Sequence, residues 1–181
     1  MTIKKNNSGY TLIELIVSTV LIGIVASLLV YIMTAIMGVL GDNRVRKQLL
    51  MDGYNATSKF VREFELVDNE SDLLLGYSNQ IQFITNIDGA YFTITYLISG
   101  TDLYRTVGSG STVLLSTNVS GQFEYYTKNH SSISTPLTTS AQLRSVRRVR
   151  LSLNMISGGG TVYVYNVDAF PENYRYSGGG S

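Results

Sequence analysis

The chain has no cysteine and no tryptophan, one histidine and two prolines in 181 residues. Without cysteine there is no disulfide framework, no thiolate nucleophile and no Cys-ligated zinc or iron–sulfur site, and the redox compartment leaves no mark on the composition. A single histidine gives metal binding and triad chemistry almost nothing to stand on. Charge is scarce too. Charged residues make up 15% of the chain, against about a quarter in an ordinary globular protein, and the net charge of +1 excludes a global field aimed at nucleic acid or an acidic substrate. What is abundant is apolar: 44% of residues are hydrophobic, too many for a disordered tail or a collagen-like rod.

The missing charge is concentrated in one place. Residues 15–41 contain no Asp, Glu, Lys or Arg. As a helix these ~27 residues would rise about 40 Å, more than the roughly 30 Å hydrocarbon layer of a bilayer. One membrane span is expected. A cleaved secretory signal would have an apolar core of roughly 7–15 residues followed by a small-residue cleavage site, so the span is expected to stay attached. Lys4 and Lys5 lie on one side of the run and Arg44, Arg46 and Lys47 on the other, so charge counting leaves its orientation open. Glu14 stands at the edge of the run, where a carboxylate either reaches the interface beside the helix start or needs a partner.

The segment Ser8-Gly9-Tyr10-Thr11-Leu12-Ile13-Glu14-Leu15-Ile16-Val17, preceded by the basic Lys4-Lys5 and followed by the apolar run, resembles the class III signal of type IV pilins and type II secretion pseudopilins. In that family a membrane peptidase cuts after the leader glycine and the new terminus is N-methylated. The resemblance implies that Gly9 is the last leader residue, Tyr10 the methylated mature terminus and Glu14 the acid used in assembly. It further implies prepilin peptidase, an inner-membrane assembly platform and other pilin or pseudopilin subunits as partners, with no cofactor, metal or catalytic residue. The globular part would lie outside the cytoplasm, anchored in the bacterial inner membrane and then carried into a periplasmic or cell-surface filament. Tyr10 stands where Phe is commoner.

After Gly41 the apolar residues keep a helical beat. Val45, Leu49, Gly53, Ala56, Phe60, Phe64 and Val67 are spaced by three or four and form one stripe, and no proline precedes Pro136. One helix is therefore expected from about Leu12 to about Leu66, its first half in the membrane and its second half laid on a domain, with Gly38 and Gly41 marking a flexible exit from the bilayer. Major pilins commonly carry a mid-helix proline roughly where Tyr31 stands, which favours a minor pilin or pseudopilin.

Beyond Asp72 the period falls to two. The runs 80–85, 90–98, 112–116, 121–126, 146–155 and 161–167 are rich in β-branched and aromatic residues and separated by Gly, Ser, Asn and Asp. They predict an antiparallel sheet covered on one face by the helical stripe, an α+β fold. The expected organisation is a leader at 1–9, a transmembrane helix at 10–41, an amphipathic helix at 42–66, a β-rich domain at 67–176 and a flexible tail at 177–181. The order of Leu103-Tyr104-Arg105, Val113-Leu114-Leu115, Phe123-Glu124-Tyr125 and the 143–151 strand is similar to that of J-type minor pseudopilins and W-type minor pilins.

Other candidate chemistry is sparse. Asp68, Glu70 and Asp72 alternate as calcium ligands do, but an EF-hand-like loop would need Gly and Glu where Leu73 and Asn79 stand, so a solvated turn is expected. Arg144, Arg147, Arg148 and Arg150 are the one basic cluster, and alternation predicts Arg144, Arg148 and Arg150 on one strand face. The cluster raises a second reading, a minor pilin that binds DNA or a surface, against which stand the low net charge and the lack of interleaved aromatics. His130 lies in a polar loop without acids at catalytic spacing, and enzymatic activity is not expected.

Overall fold

A computed structural model describes residues 11–157 and 160–171; Gly9, Tyr10 and the 177–181 tail lie outside the described residues. Helix α1 runs unbroken from Leu12 to Glu65, passing through Gly23, Gly38, Gly41 and Gly53. No proline interrupts it, and Thr11 starts it. The chain divides into two compact units between Val45 and Arg46.

In the first unit the helix stands alone with apolar side chains exposed all round, among them Leu12, Ile24, Leu29 and Ile36. A helix hydrophobic on every side belongs in lipid, and α1 contains the only window among the described residues long and apolar enough to cross a membrane. Its few hydroxyls bond one turn back: Ser18 Oγ donates to Glu14 O at 2.7 Å, Thr19 Oγ1 to Ile16 O at 2.9 Å, Ser27 Oγ to Ile24 O at 2.7 Å and Thr34 Oγ1 to Tyr31 O at 2.8 Å. Each is thereby satisfied without water, as a lipid surrounding requires.

In the second unit the end of α1 lies against two antiparallel sheets rather than one. The first is a meander of β1 (Leu73–Gly76), β2 (Gln80–Ile87), β3 (Ala90–Ser99), β4 (Asp102–Val107) and β5 (Thr112–Thr117), in that spatial order. The second is ordered β7-β6-β8-β9, from β6 (Val119–Tyr126), β7 (Ser132–Ile133), β8 (Arg148–Ile156) and β9 (Val162–Ala169). A short helix, α2 (Ser140–Ser145), precedes β8 and is closed by a Thr139–Gln142 capping box. The β2–β3 hairpin turns on Asp88 and Gly89, both at positive φ (53° and 84°), the conformation that a two-residue turn of this hand demands.

Leu49, Ala56, Phe60, Phe64 and Val67 of the helical stripe are buried, and Gly53 lies with them on the packed face. Val45 is not: it is 52% exposed. Phe60 is the hub, its ring 5.3 Å from that of Tyr96 and 6.4 Å from Phe83 in the first sheet, and 5.6 Å from Phe123 in the second. Gly53 permits the close approach to the second sheet, since a Cβ there would lie 2.4 Å from Met155 Sδ and 2.7 Å from the Tyr165 ring. At the other end β2 takes the last helical carbonyls, with Thr85 Oγ1 donating to Glu63 O (2.9 Å) and the Asn86 amide to Leu66 O (3.2 Å).

Candidate functional site

Thr11 and Glu14 close the start of α1 reciprocally. The Thr11 amide and hydroxyl both donate to Glu14 Oε2, at 2.8 and 2.9 Å, and the Glu14 amide donates to Thr11 Oγ1 at 3.4 Å. This is a capping box, which satisfies orphan amides of the first turn and sets a carboxylate against the positive end of the helix dipole. The other carboxylate oxygen, Oε1, has no donor among the described residues. Sequence reasoning singled out Glu14 and missed Thr11, although Thr-x-x-Glu immediately before an apolar run is the signature of this cap.

The remaining candidates are used inside the fold. Arg144 lies on α2 and not on a strand, because β8 begins only at Arg148; the expected three-arginine face does not form. Arg147 pairs with Glu70 and also donates to Arg144 O at 2.6 Å. Arg150 holds Asp168 with two bonds of 2.9 and 3.0 Å, while Arg148 lies 3.6 Å from the same carboxylate and 4.0 Å above the Tyr126 ring. The Arg150 hydrogen bond, helped by the charges of Arg150 and Arg148, holds the Asp168 carboxyl below its ordinary value despite partial burial.

The acids of the 68–72 turn face protein donors. Asp68 accepts from Asn86 Nδ2 and Tyr91 OH, each at 3.2 Å, and Asp72 accepts from the Asn69 amide at 2.9 Å. No group of three metal-ligating side chains occurs among the described residues. His130 sits at φ 60° in an exposed turn, its amide donating to Thr127 O.

One charged constellation escaped the sequence reading. Glu63 on the buried side of α1 receives Arg105 Nε on Oε2 (2.9 Å), Arg105 Nη2 on Oε1 (2.6 Å) and Tyr96 OH on Oε2 (2.7 Å). Burial, then the adjacent Glu63 carboxylate, push the Tyr96 phenol far above its usual range. The available signals were Arg105 alternating with the inward Leu103 on a strand, and an acid one residue before the core Phe64. The geometry ties helix to sheet.

The prokaryotic N-terminal methylation motif matches residues 4–30. No curated protein matches the chain. The chain thus carries the class III signal of the type IV pilin and pseudopilin superfamily, and the structure supplies the long N-terminal helix packed on antiparallel sheets that such a subunit has. The motif implies processing by prepilin peptidase, assembly with other pilin-type subunits and a single-pass membrane anchor; the family is structural rather than catalytic.

Proposed function

We propose that the chain is a non-enzymatic minor pilin or pseudopilin, similar in strand order to the J-type pseudopilins and W-type minor pilins, that joins a type IV pilus or type II secretion pseudopilus from the inner membrane with its β-rich domain on the periplasmic side. Gly9 is the last leader residue, Tyr10 the methylated terminus and Glu14 the assembly acid. The absence of proline from α1 favours the minor subunit over a major one.

The observation that carries the reading is the state of Glu14. One oxygen caps the helix through Thr11 while Oε1 stays open at the edge of an apolar segment. An acid placed so in lipid calls for a cation. Removal of the leader creates one, the amine of Tyr10, on the same chain or on the next subunit to be added. The DNA-binding alternative loses its main support, since Arg147, Arg148 and Arg150 are each engaged by an acid of the same fold.

Glu14→Leu replaces an acid by an apolar residue and should leave membrane insertion intact while lowering incorporation into filaments; Glu14→Gln isolates the charge. Immunoblots of sheared filaments, or cross-linking to partner subunits, read the result. Wild-type incorporation of both variants would reduce Glu14 to a helix cap.

A further inference from the structure

The two sheets present different chemistry on their outward faces. On the second, register sets Glu124 opposite Arg150 and Arg150 opposite Asp168, a row of ions. Outward positions of β2 to β5 hold no ion except at the margins, where Asp102 accepts Tyr104 OH at 3.0 Å and Asp68 accepts Tyr91 OH at 3.2 Å. Residues directly opposite on neighbouring strands share a face, so the surface between those margins is built row by row. One row is apolar: Leu97 stands opposite Tyr104, and Tyr104 opposite Leu114, which is 48% exposed. The next, two residues along each strand and ~7 Å away, pairs Gln82 with Thr95, Thr95 with Thr106 and Thr106 with Thr112.

That second row is neutral and held in place by its own bonds. Gln82 Nε2 donates to Thr95 Oγ1 at 2.9 Å, and the Thr106 and Thr112 hydroxyls share a bond of 2.8 Å. Side chains fixed in this way have less rotamer freedom to lose on binding, and their remaining donors and acceptors stay available. Helix α1 packs on the opposite face, its Phe60 against Tyr96 and its Phe64 against Phe83, and leaves Tyr91, Thr112 and Leu114 exposed.

We propose that the outward face of the first sheet binds a neutral, extended polysaccharide of the cellulose type. Such a chain is a flat ribbon with C–H groups on its faces and hydroxyls along its edges. Over Leu97, Tyr104 and Leu114 the ribbon face meets an aromatic ring and two leucines, while its edge hydroxyls reach the Gln82–Thr112 row, whose amide and hydroxyl groups both donate and accept. The lack of charge selects the class of ligand. DNA or anionic lipid would need cations, which this face does not offer. A protein partner would be met by an apolar centre with a polar rim, whereas here an apolar and a polar row run side by side.

The full chain, solubilised in a detergent without a sugar headgroup, should sediment with microcrystalline cellulose and neither with starch granules, whose chains coil, nor with anionic alginate beads. Tyr104→Ala should raise the dissociation constant roughly five- to tenfold, the worth of a stacking contact, and Tyr104→Phe, which keeps the ring, should leave it near the wild-type value. Thr112→Lys, at an exposed position of β5, should weaken binding by setting an ammonium in the neutral row, whereas Ser120→Lys, exposed on the second sheet, should not. Circular dichroism shows that each variant is folded, and Tyr104 and Thr112 lie on different strands, so one variant suffices if the other unfolds. Failure of the wild type to sediment with cellulose overturns the proposal. So does equal retention on starch or alginate, or cellulose binding that no folded variant at Tyr104 or Thr112 weakens. If the wild type ignores cellulose and Thr112→Lys instead loses filament incorporation, the face belongs to a neighbouring subunit.

Discussion

Replacing Glu63 by Gln keeps the shape of the side chain and removes the charge to which three donors are fitted. Arg105 loses the charge and one arm of a bidentate pair (2.9 and 2.6 Å), because the amide nitrogen that replaces one oxygen cannot accept, and its side chain is only 12% exposed. Breaking a buried pair in this way costs about 3–5 kcal/mol, most of it the penalty of the orphaned charge rather than the worth of the pair. In a Tyr96→Phe background, which leaves no buried hydroxyl orphaned, removing both charges with Glu63→Leu and Arg105→Met should cost far less, since desolvating two ions offsets most of their attraction. Tyr96→Phe removes one bond to a charged group, about 1.5–3 kcal/mol. Urea unfolding of a soluble fragment beginning at residue 45, followed by circular dichroism, reads these differences. With a slope of roughly 2 kcal/mol per molar, Glu63→Gln should lower the midpoint by about 2 M. The double variant should recover most of that loss. If the single and double variants unfold together, or if Glu63→Gln matches the wild type, the pair is not the fastener between helix and sheet described here.

Two further outcomes bear on the same domain. The fragment beginning at residue 45 should fold, because the residues that cover the sheets start at Leu49, and Phe60→Ala, at a ring with no exposure, should cost about 3–5 kcal/mol; an unchanged unfolding midpoint would put the buried face of α1 elsewhere. Asp168, whose carboxyl is held low by Arg150, should contribute stability above the ordinary Asp value near about 3.9 and lose that contribution as pH falls through its lower folded value; since both side chains are about a third exposed, the effect should stay under about 1 kcal/mol, and Asp168→Asn should flatten the acid limb of a pH–stability curve by that amount.

The long helix was legible because nothing in its sequence contradicts it: no proline, an unbroken apolar run, then a stripe at helical spacing whose members from Leu49 onward are buried. Val45 was misjudged because periodicity reports a face and not where its cover begins. The main strands could be read from alternation, but β1 and β7 are four and two residues long, too short to show a period, and their existence depends on pairing with β2 and β6. The division into two sheets was hidden for a related reason, since local patterns do not say which strand neighbours which. Arg144 was misplaced because the Thr139–Gln142 capping box starts a turn of helix within what looked like the lead-in to a strand. At the N-terminal site, Glu14 stood out because an acid beside an apolar run is costly, whereas Thr11 looks ordinary until its bonds to Glu14 are seen. The Glu63–Arg105 pair joins residues 42 positions apart, a distance at which sequence pattern carries no information.

The central claim, that the N-terminal segment is a processed assembly signal, is tested most directly by the intact mass of the native chain isolated from its own host. That chain should have lost residues 1–9 and begin at Tyr10 with one added methyl group. A chain that still begins at Met1 in a host with an active prepilin peptidase would contradict it.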